Sequence, residues 1–225
     1  MRLRRKSAAS DADTPDVDLE AAEAESDATE SAVESTVEPT AALPVDVEDL
    51  TDEEIAERVD LGSLLVAPAP GKELRLQVDE ASGTVQSVLI AGADGVAELR
   101  AFAAPRNGDL WSEVRPAIAA DMARRGGTAT ETDGPFGVEL RCEITATLED
   151  GRTGTQLSRI IGVNGSRWLL RATLLGEPAR GGDSAAEWEA VLGGVAVRRG
   201  QGALPPGEAL PLVLPEQARR LEPGQ

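Results

Sequence analysis

TQLSRIIGVNGSRWLLRATLLG, residues 155–176, decides the fold class. Two strand-forming runs, 155–163 and 166–176, flank Asn164-Gly165, the strongest short hairpin signal in the chain. Gly accepts the positive φ that such a turn requires. Immediately upstream, VELRCEITATL (138–148) places Leu140, Cys142, Ile144, Ala146 and Leu148 in alternation with Glu139, Arg141, Glu143, Thr145 and Thr147. That is the period of a strand with one buried face. Glu149-Asp150-Gly151 supplies the turn into the next strand. Further toward the N-terminus, KELRLQVD (72–79), TVQSVLIAG (84–92) and VAELRAFAA (96–104) repeat the theme around Ser82-Gly83 and Ala93-Asp94-Gly95. The short run LGSLLVAP (61–68) ends at Pro68. The pattern predicts a meander of antiparallel strands.

Two helices interrupt it. In DLWSEVRPAIAADMARRGG (109–127), Trp111, Val114, Ile118 and Met122 recur at steps of three and four, one helical stripe. Asp109 or Ser112 caps this helix and Gly126 or Gly127 ends it; Pro116 argues for a late start or a kink. In SAAEWEAVLGGVAV, Ser184 and Glu187 have the spacing of a capping box. Strands, helix, strands, helix predicts an α+β fold, an antiparallel sheet with two main helices packed on it.

Charge divides the chain. The tip holds Arg2, Arg4, Arg5 and Lys6, residues 7–60 hold 19 acids and one base, and residues 61–225 hold 21 acids and 17 bases. Residues 7–50 carry too little apolar surface to offset their ordering entropy and are expected to be disordered. TDEEIAERVD (51–60) reads as a short helix with a Thr51–Glu54 capping box. Residues 61–200 read as one domain, and residues 201–225 as a proline-rich extended segment along an edge or groove.

Composition also excludes chemistry. The 225 residues contain no His, no Tyr and one Cys, so imidazole-based triads and imidazole metal ligands are absent. No cofactor is expected. Cys142 has no disulfide partner and, at an inward strand position, reads as an inert buried thiol. No apolar stretch is long enough for a transmembrane helix, and no apolar run follows MRLRRK, so a cytoplasmic location is expected. The acidic balance disfavours nucleic acid. The four cations of the tip allow a weak, salt-sensitive membrane-surface contact.

Residues 61 to about 215 resemble a family of uncharacterised actinobacterial proteins, domain of unknown function 3710. The resemblance rests on LGSLLVAPAP, ELRLQVD, AFAAPRNGDLWSEVR, GPFGVELR, GVNGSRWLLRATLLG and LPLVLP. A fold-level resemblance to Mog1/PsbP-like sandwiches rests on the element order, the strand RWLLRATLLG, and a final helix followed by VAVRR. That resemblance implies a binding or assembly role, since proteins of that fold are often non-catalytic.

Three stretches are candidate contacts. GPFG (134–137) is either a turn that tucks Phe136 against the core or a ligand loop, and the turn is favoured because it lacks a phosphate-loop pattern. Arg106 precedes the helix of Asp109 and Trp111, where an arginine near a helix N-terminus suits an anion; the simpler alternative is an Arg106–Asp109 surface pair. Of Arg141, Arg159, Arg167 and Arg171, with Arg75 and Arg100, several are expected to share the open sheet face if the strand order brings them together, either paired across strands or presented to an anionic partner. The first functional expectation is a non-enzymatic interaction domain tuned by its acidic tail, with an unidentified protein partner. The second is a small-molecule, anion-binding or enzymatic domain with a pocket between the sheet and the Trp111 helix, contacted by Arg106, Asp109 and Trp111.

Overall fold

The computed structural model describes residues 41–147 and 153–215. The Glu149-Asp150-Gly151 turn, the basic tip, the acidic segment up to residue 40 and residues 216–225 lie outside the described residues. In chain order the elements are β1 (Val45–Asp46), α1 (Asp52–Ala56), β2 (Val59–Asp60), β3 (Leu64–Val66), β4 (Glu73–Val78), β5 (Val85–Ala91) and β6 (Gly95–Ala103). There follow α2 (Leu110–Arg124), β7 (Thr128–Gly134), β8 (Gly137–Thr147), β9 (Thr153–Asn164), β10 (Trp168–Gly176), α3 (Gly182–Gly193) and β11 (Val195–Val197). The fold is α+β.

The larger sheet has seven strands in the order β4-β5-β6-β10-β9-β8-β7, and every neighbouring pair is antiparallel. The stretch 155–176 becomes β9 and β10, and β10 joins the two meanders by pairing with β6. A small second sheet, β1-β11-β3-β2, includes the parallel pair β1–β11. One face of the large sheet carries Leu99, Ile161, Leu170, Ala172 and Leu174, packed with Trp188 and Leu192 of α3 and with Val66, Val195 and Val197 of the small sheet. The opposite face carries Leu140, Cys142, Ile160 and Leu169, packed under Leu110, Trp111 and Met122 of α2. Both faces are therefore partly covered.

Several local expectations change. The β9–β10 loop is not a two-residue Asn-Gly turn: Asn164 pairs with Leu169, and Gly165–Trp168 make a four-residue loop closed by Gly165 N–H donating to the Trp168 carbonyl at 2.8 Å. Asn164 stays in the strand because its amide serves α2. The Trp168 indole lies so close over Gly165 that a Cβ there would clash. Helix α2 begins with Asp109 as N-cap and runs straight through Pro116, whose missing N–H leaves the Ser112 carbonyl without its helical donor. Ser184 does not cap α3. Gly181 occupies that position, and the Ser184 hydroxyl donates to Asp94 Oδ2 at 2.6 Å. Strand β7, TATETDG, has no apolar alternation and was not foreseen; it is an edge strand beside β8.

Residues 45–50, read from sequence as the end of the acidic tail, instead belong to the fold. β1 pairs with β11, Val47 is buried, and Asp46 accepts from the indole N–H of Trp168 at 2.9 Å and from Glu48 N–H at 3.1 Å. Three acids are tolerated there because Asp46 has donors and the others face water. The Thr51–Glu54 capping box forms, but α1 stops at Ala56 because Val59–Asp60 pairs with β3.

The C-terminal segment lies where β5 leaves β6 unpaired. β5 covers β6 only from Val96 to Leu99. Beyond that, Leu210 N–H donates to the Ala101 carbonyl and Ala103 N–H to the Glu208 carbonyl, both at 2.8 Å. Leu210 is buried, Leu212 half-buried and Leu214 exposed.

Asp46 thus satisfies a buried indole from within the tail-like region. Asp46→Ala is expected to lower unfolding free energy in urea by about 1–3 kcal/mol, the penalty for stranding a buried donor. In a Trp168→Phe background the same change is expected to be smaller by at least about 0.5 kcal/mol. Equal losses in the two backgrounds would refute the link.

Candidate functional site

The start of α2 is fixed to the sheet by contacts with β8 and β9. Asp109 accepts from the backbone N–H of Ser112 at 3.0 Å and from its hydroxyl. The Asn164 amide donates to Asp109 at 2.7 Å, while its oxygen accepts the Trp111 backbone N–H at 3.2 Å. The Trp111 indole N–H donates to the Val138 carbonyl at 2.6 Å. Its ring rests on Gly162, where any Cβ would overlap it. Only glycine lets the helix approach β9 this closely. Burial pushes the Asp109 carboxyl up, but the hydrogen bonds from Ser112 and Asn164, with the Arg115 charge, outweigh it and hold the group below its ordinary value.

These commitments dissolve the expected Arg106–Asp109–Trp111 contact set. Trp111 is buried with both N–H groups occupied, and Asp109 serves as a cap. Arg106 is exposed and makes no ion pair with Asp109; the acid is taken by Ser112 and Asn164. Phe136 sits in the two-residue loop between the paired Gly134 and Gly137, and is buried in the core beneath the sheet. GPFG is therefore a hairpin turn that delivers an aromatic anchor, with Gly137 at φ 103°.

The arginines do not all share a face. Register places Leu140, Ile160, Thr173 and Glu98 in one row across the sheet, and Gly162, Arg171 and Arg100 in a parallel row on the same α2 face. Arg141 and Arg159 are opposite each other but point to the α3 face. Arg159 is 1% exposed and bridges Glu139 at 2.7 Å and Glu189 of α3 at 2.6 Å. Arg141 reaches the same Glu139 oxygen at 3.2 Å. Arg167 lies in the β9–β10 loop, half-buried. The expected arginine stripe is thus corrected: two members are consumed in a buried ion network under α3, and Arg171 faces α2. Alternation gives the two faces of each strand, whereas the pairing register sets which faces coincide.

Beside α2, on the α2 face of β6, β10 and β9, runs an open groove of about 590 Å3. Val114, Ile118 and Met122 form one wall; Leu169, Ile160 and Phe102 contribute the apolar floor, with Arg171, Thr173, Glu98 and Ser158 among its polar groups. Arg106, Asp109 and Trp111 are not in the lining, although the groove lies along the helix they begin. Phe102 and Arg100 were missed as a pair. Their signal was present: in VAELRAFAA an aromatic sits on the otherwise charged face of β6, after Glu98 and Arg100. Cys142 is buried beneath α2 next to Ser158, and burial raises its thiol above the ordinary range while Ser158 opposes that. Among the described residues, no three Cys, Asp or Glu side chains gather as a metal site, and no helix is long and apolar enough to cross a membrane.

A family model described as "Protein of unknown function (DUF3710)" matches residues 44–221. A crystal structure of a Bacteroides thetaiotaomicron protein is similar at 15% identity and a TM-score of 0.38, over 63% of this chain and 47% of that one. The chain therefore spans less than half of that protein's length. No curated protein matches.

Asp109 links helix start to sheet through an ionised carboxylate. Its depressed value means its contribution is fully present above the unfolded value of about 3.9 and is lost as pH falls through the folded value. Asp109→Ala is expected to lower stability by about 1 kcal/mol at neutral pH. The gap between variant and parent is expected to narrow below about pH 4. A gap that widens on acidification, in thermal melts across that range, would contradict this account.

Proposed function

We propose, taking as premise that this chain belongs to the DUF3710 family, that it is a non-enzymatic binding domain whose ligand lies in the groove between α2 and the large sheet. The observation that carries this reading is the groove itself. Its volume of about 590 Å3 falls within the roughly 300–1,000 Å3 of small-molecule clefts. Its walls are half-buried apolar side chains, Val114, Ile118, Phe102 and Ile144, which neither solvent nor the core fully claims. Such a surface suits a ligand that is largely apolar.

Holding rather than transforming is supported by the residue types. The chain has no imidazole. The carboxylates along the groove, Glu98 and Asp121, face it from different elements, the sheet and the helix. The cysteine beneath is buried and unactivated, where a reactive thiol needs exposure and a lowered proton affinity. As in the interaction reading, a rigid sheet would present a surface to a partner; the surface proposed here is the α2 groove and not an arginine stripe. The Mog1/PsbP-like analogy accords with it, since binding and assembly are common uses of that fold, although fold alone does not assign function.

A neutral, solvatochromic dye tests the groove without invoking charge. Nile red fluorescence is expected to rise on titration with the full chain. Ile118→Trp fills the groove from α2 and is expected to weaken the dye by at least about tenfold, or about 1.4 kcal/mol, while circular dichroism stays unchanged. Dye binding that is absent, or indifferent to Ile118→Trp, would overturn the groove reading.

A further inference from the structure

Resting on that reading, we infer that Arg100 and Arg171 form an anion clamp, so that the groove takes an amphiphile with a carboxylate or phosphate head beside Phe102.

The pair is hard to explain as fold alone. Arg171 and Arg100 are directly opposite on β10 and β6. Like charges in that position repel and weaken the sheet. Both guanidinium groups lie against the Phe102 ring, at 5.3 Å for Arg171 and 5.6 Å for Arg100. That stacking orients them and returns part of the cost. Among the described residues, neither makes a salt bridge, whereas Arg141 and Arg159 on the other face of the same sheet have Glu139 and Glu189. The Arg100 Nε is buried and has no hydrogen-bond partner. Glu98, two residues from Arg100 along β6, is the acid whose charge acts on Arg171. Burial pushes the Arg171 guanidinium below its ordinary value, and the Arg100 charge adds to that while Glu98 opposes. Two half-buried cations beside one weakly placed acid leave a net positive site in a partly dehydrated setting. An anion placed between them would receive charge-assisted hydrogen bonds from two planar forks.

The neighbouring surface specifies the rest of the ligand. Arg171 and Phe102 are in the groove floor, continuous with Leu169 and Ile160 and walled by Val114 and Ile118. A headgroup held by the arginines therefore has an apolar tail running beneath α2. A free inorganic anion would leave that apolar surface unused. A neutral hydrocarbon would leave the Arg171 guanidinium, which faces the groove beside Arg100, without an anionic partner, and an unmet polar group costs more in a buried setting than an unmade surface contact.

The test compares decanoate with decan-1-ol, which share a tail and differ in the head, by displacement of Nile red from the full chain. Decanoate is expected to bind at least tenfold more tightly than decan-1-ol. Arg171→Met and Arg100→Met keep apolar stems and are each expected to cut that preference severalfold, leaving the alcohol within threefold of its parental value. Arg171→Lys, which retains the charge, is expected to restore part of the preference. Equal binding of acid and alcohol by the parent, with Nile red still sensitive to Ile118→Trp, would overturn the clamp and leave the groove standing. A preference that survives in the double methionine variant would likewise overturn it. Failure of both decyl probes to displace bound dye would show that headgroup and tail do not share this site, and would sink the inference as well.

Discussion

The pairing of β10 with β6 on one side and β9 on the other is the constraint from which the rest of the structure follows. It sets Arg171 opposite both Arg100 and Gly162. A slip of one residue would send Leu170, Ala172 and Leu174 to the α2 face and expose the principal core. Register is therefore held by burial of that row, and the positions of the polar residues on the other face come with it. Gly162 lands where Trp111 must dock, and Arg171 lands next to Arg100. The approach of α2 and the paired charge beside it are two consequences of one hydrogen-bonded ladder.

The two faces treat arginine in opposite ways. On the α3 face, Arg159 is fully buried but compensated by Glu139 and Glu189, with Arg141 sharing Glu139. A buried charge removed from water needs such partners, and taking one away leaves the other stranded. Two atoms of this network, Glu139 Oε2 and Arg159 Nη2, still make no hydrogen bond, so it is not an economical way to fill a core; it ties β8 and β9 to α3 in one arrangement. On the α2 face Arg100 and Arg171 make no salt bridge among the described residues; they lie against Phe102, and Glu98 acts on Arg171 through its charge alone. The contrast lies within one sheet, so it cannot be ascribed to a general abundance of arginine.

Much of the fold was legible because alternation and turn chemistry are local. The strands around residues 74–78, 85–91, 96–103 and 155–176, the stripe of α2 and the Thr51–Glu54 cap all follow from neighbours in sequence. What failed was non-local. Asp46 looked like one more acid of a soluble tail until Trp168, far along the chain, supplied the donor. Ser184 had the spacing of a cap, yet Asp94 offered its hydroxyl a charged acceptor. Strand β7 exists because β8 has an edge to pair, and its own residues carry no strand period. The arginine stripe failed for the same reason, since no single strand records which of its faces meets a neighbour's. The expected pocket between the sheet and the Trp111 helix was to be contacted by Arg106, Asp109 and Trp111, none of which lines the groove. The residues that looked functional at the helix start are those that fasten it.

That fastening also explains why a groove stays open beside α2. The helix is pinned at its start by Trp111 on Gly162 and by the Asp109–Asn164 bond, and near its end Met122 lies so close to Gly127 that a Cβ there would touch its sulfur. Between those anchors it presents Val114 and Ile118, side chains too short to reach across β10 to β6. Large residues would close the gap, but the chain has few: three Trp, two Phe and no Tyr. Trp111, Trp168, Trp188 and Phe136 are all spent in packing or anchoring. Phe102 alone remains for the groove, and both arginines lie against its ring. An aromatic-poor sequence that sets its last free ring against two cations with no salt bridge among the described residues leaves apolar surface and positive charge adjoining each other. A close-packed domain would ordinarily remove both features by repacking; here the anchors at each end of α2 prevent the collapse that would do so.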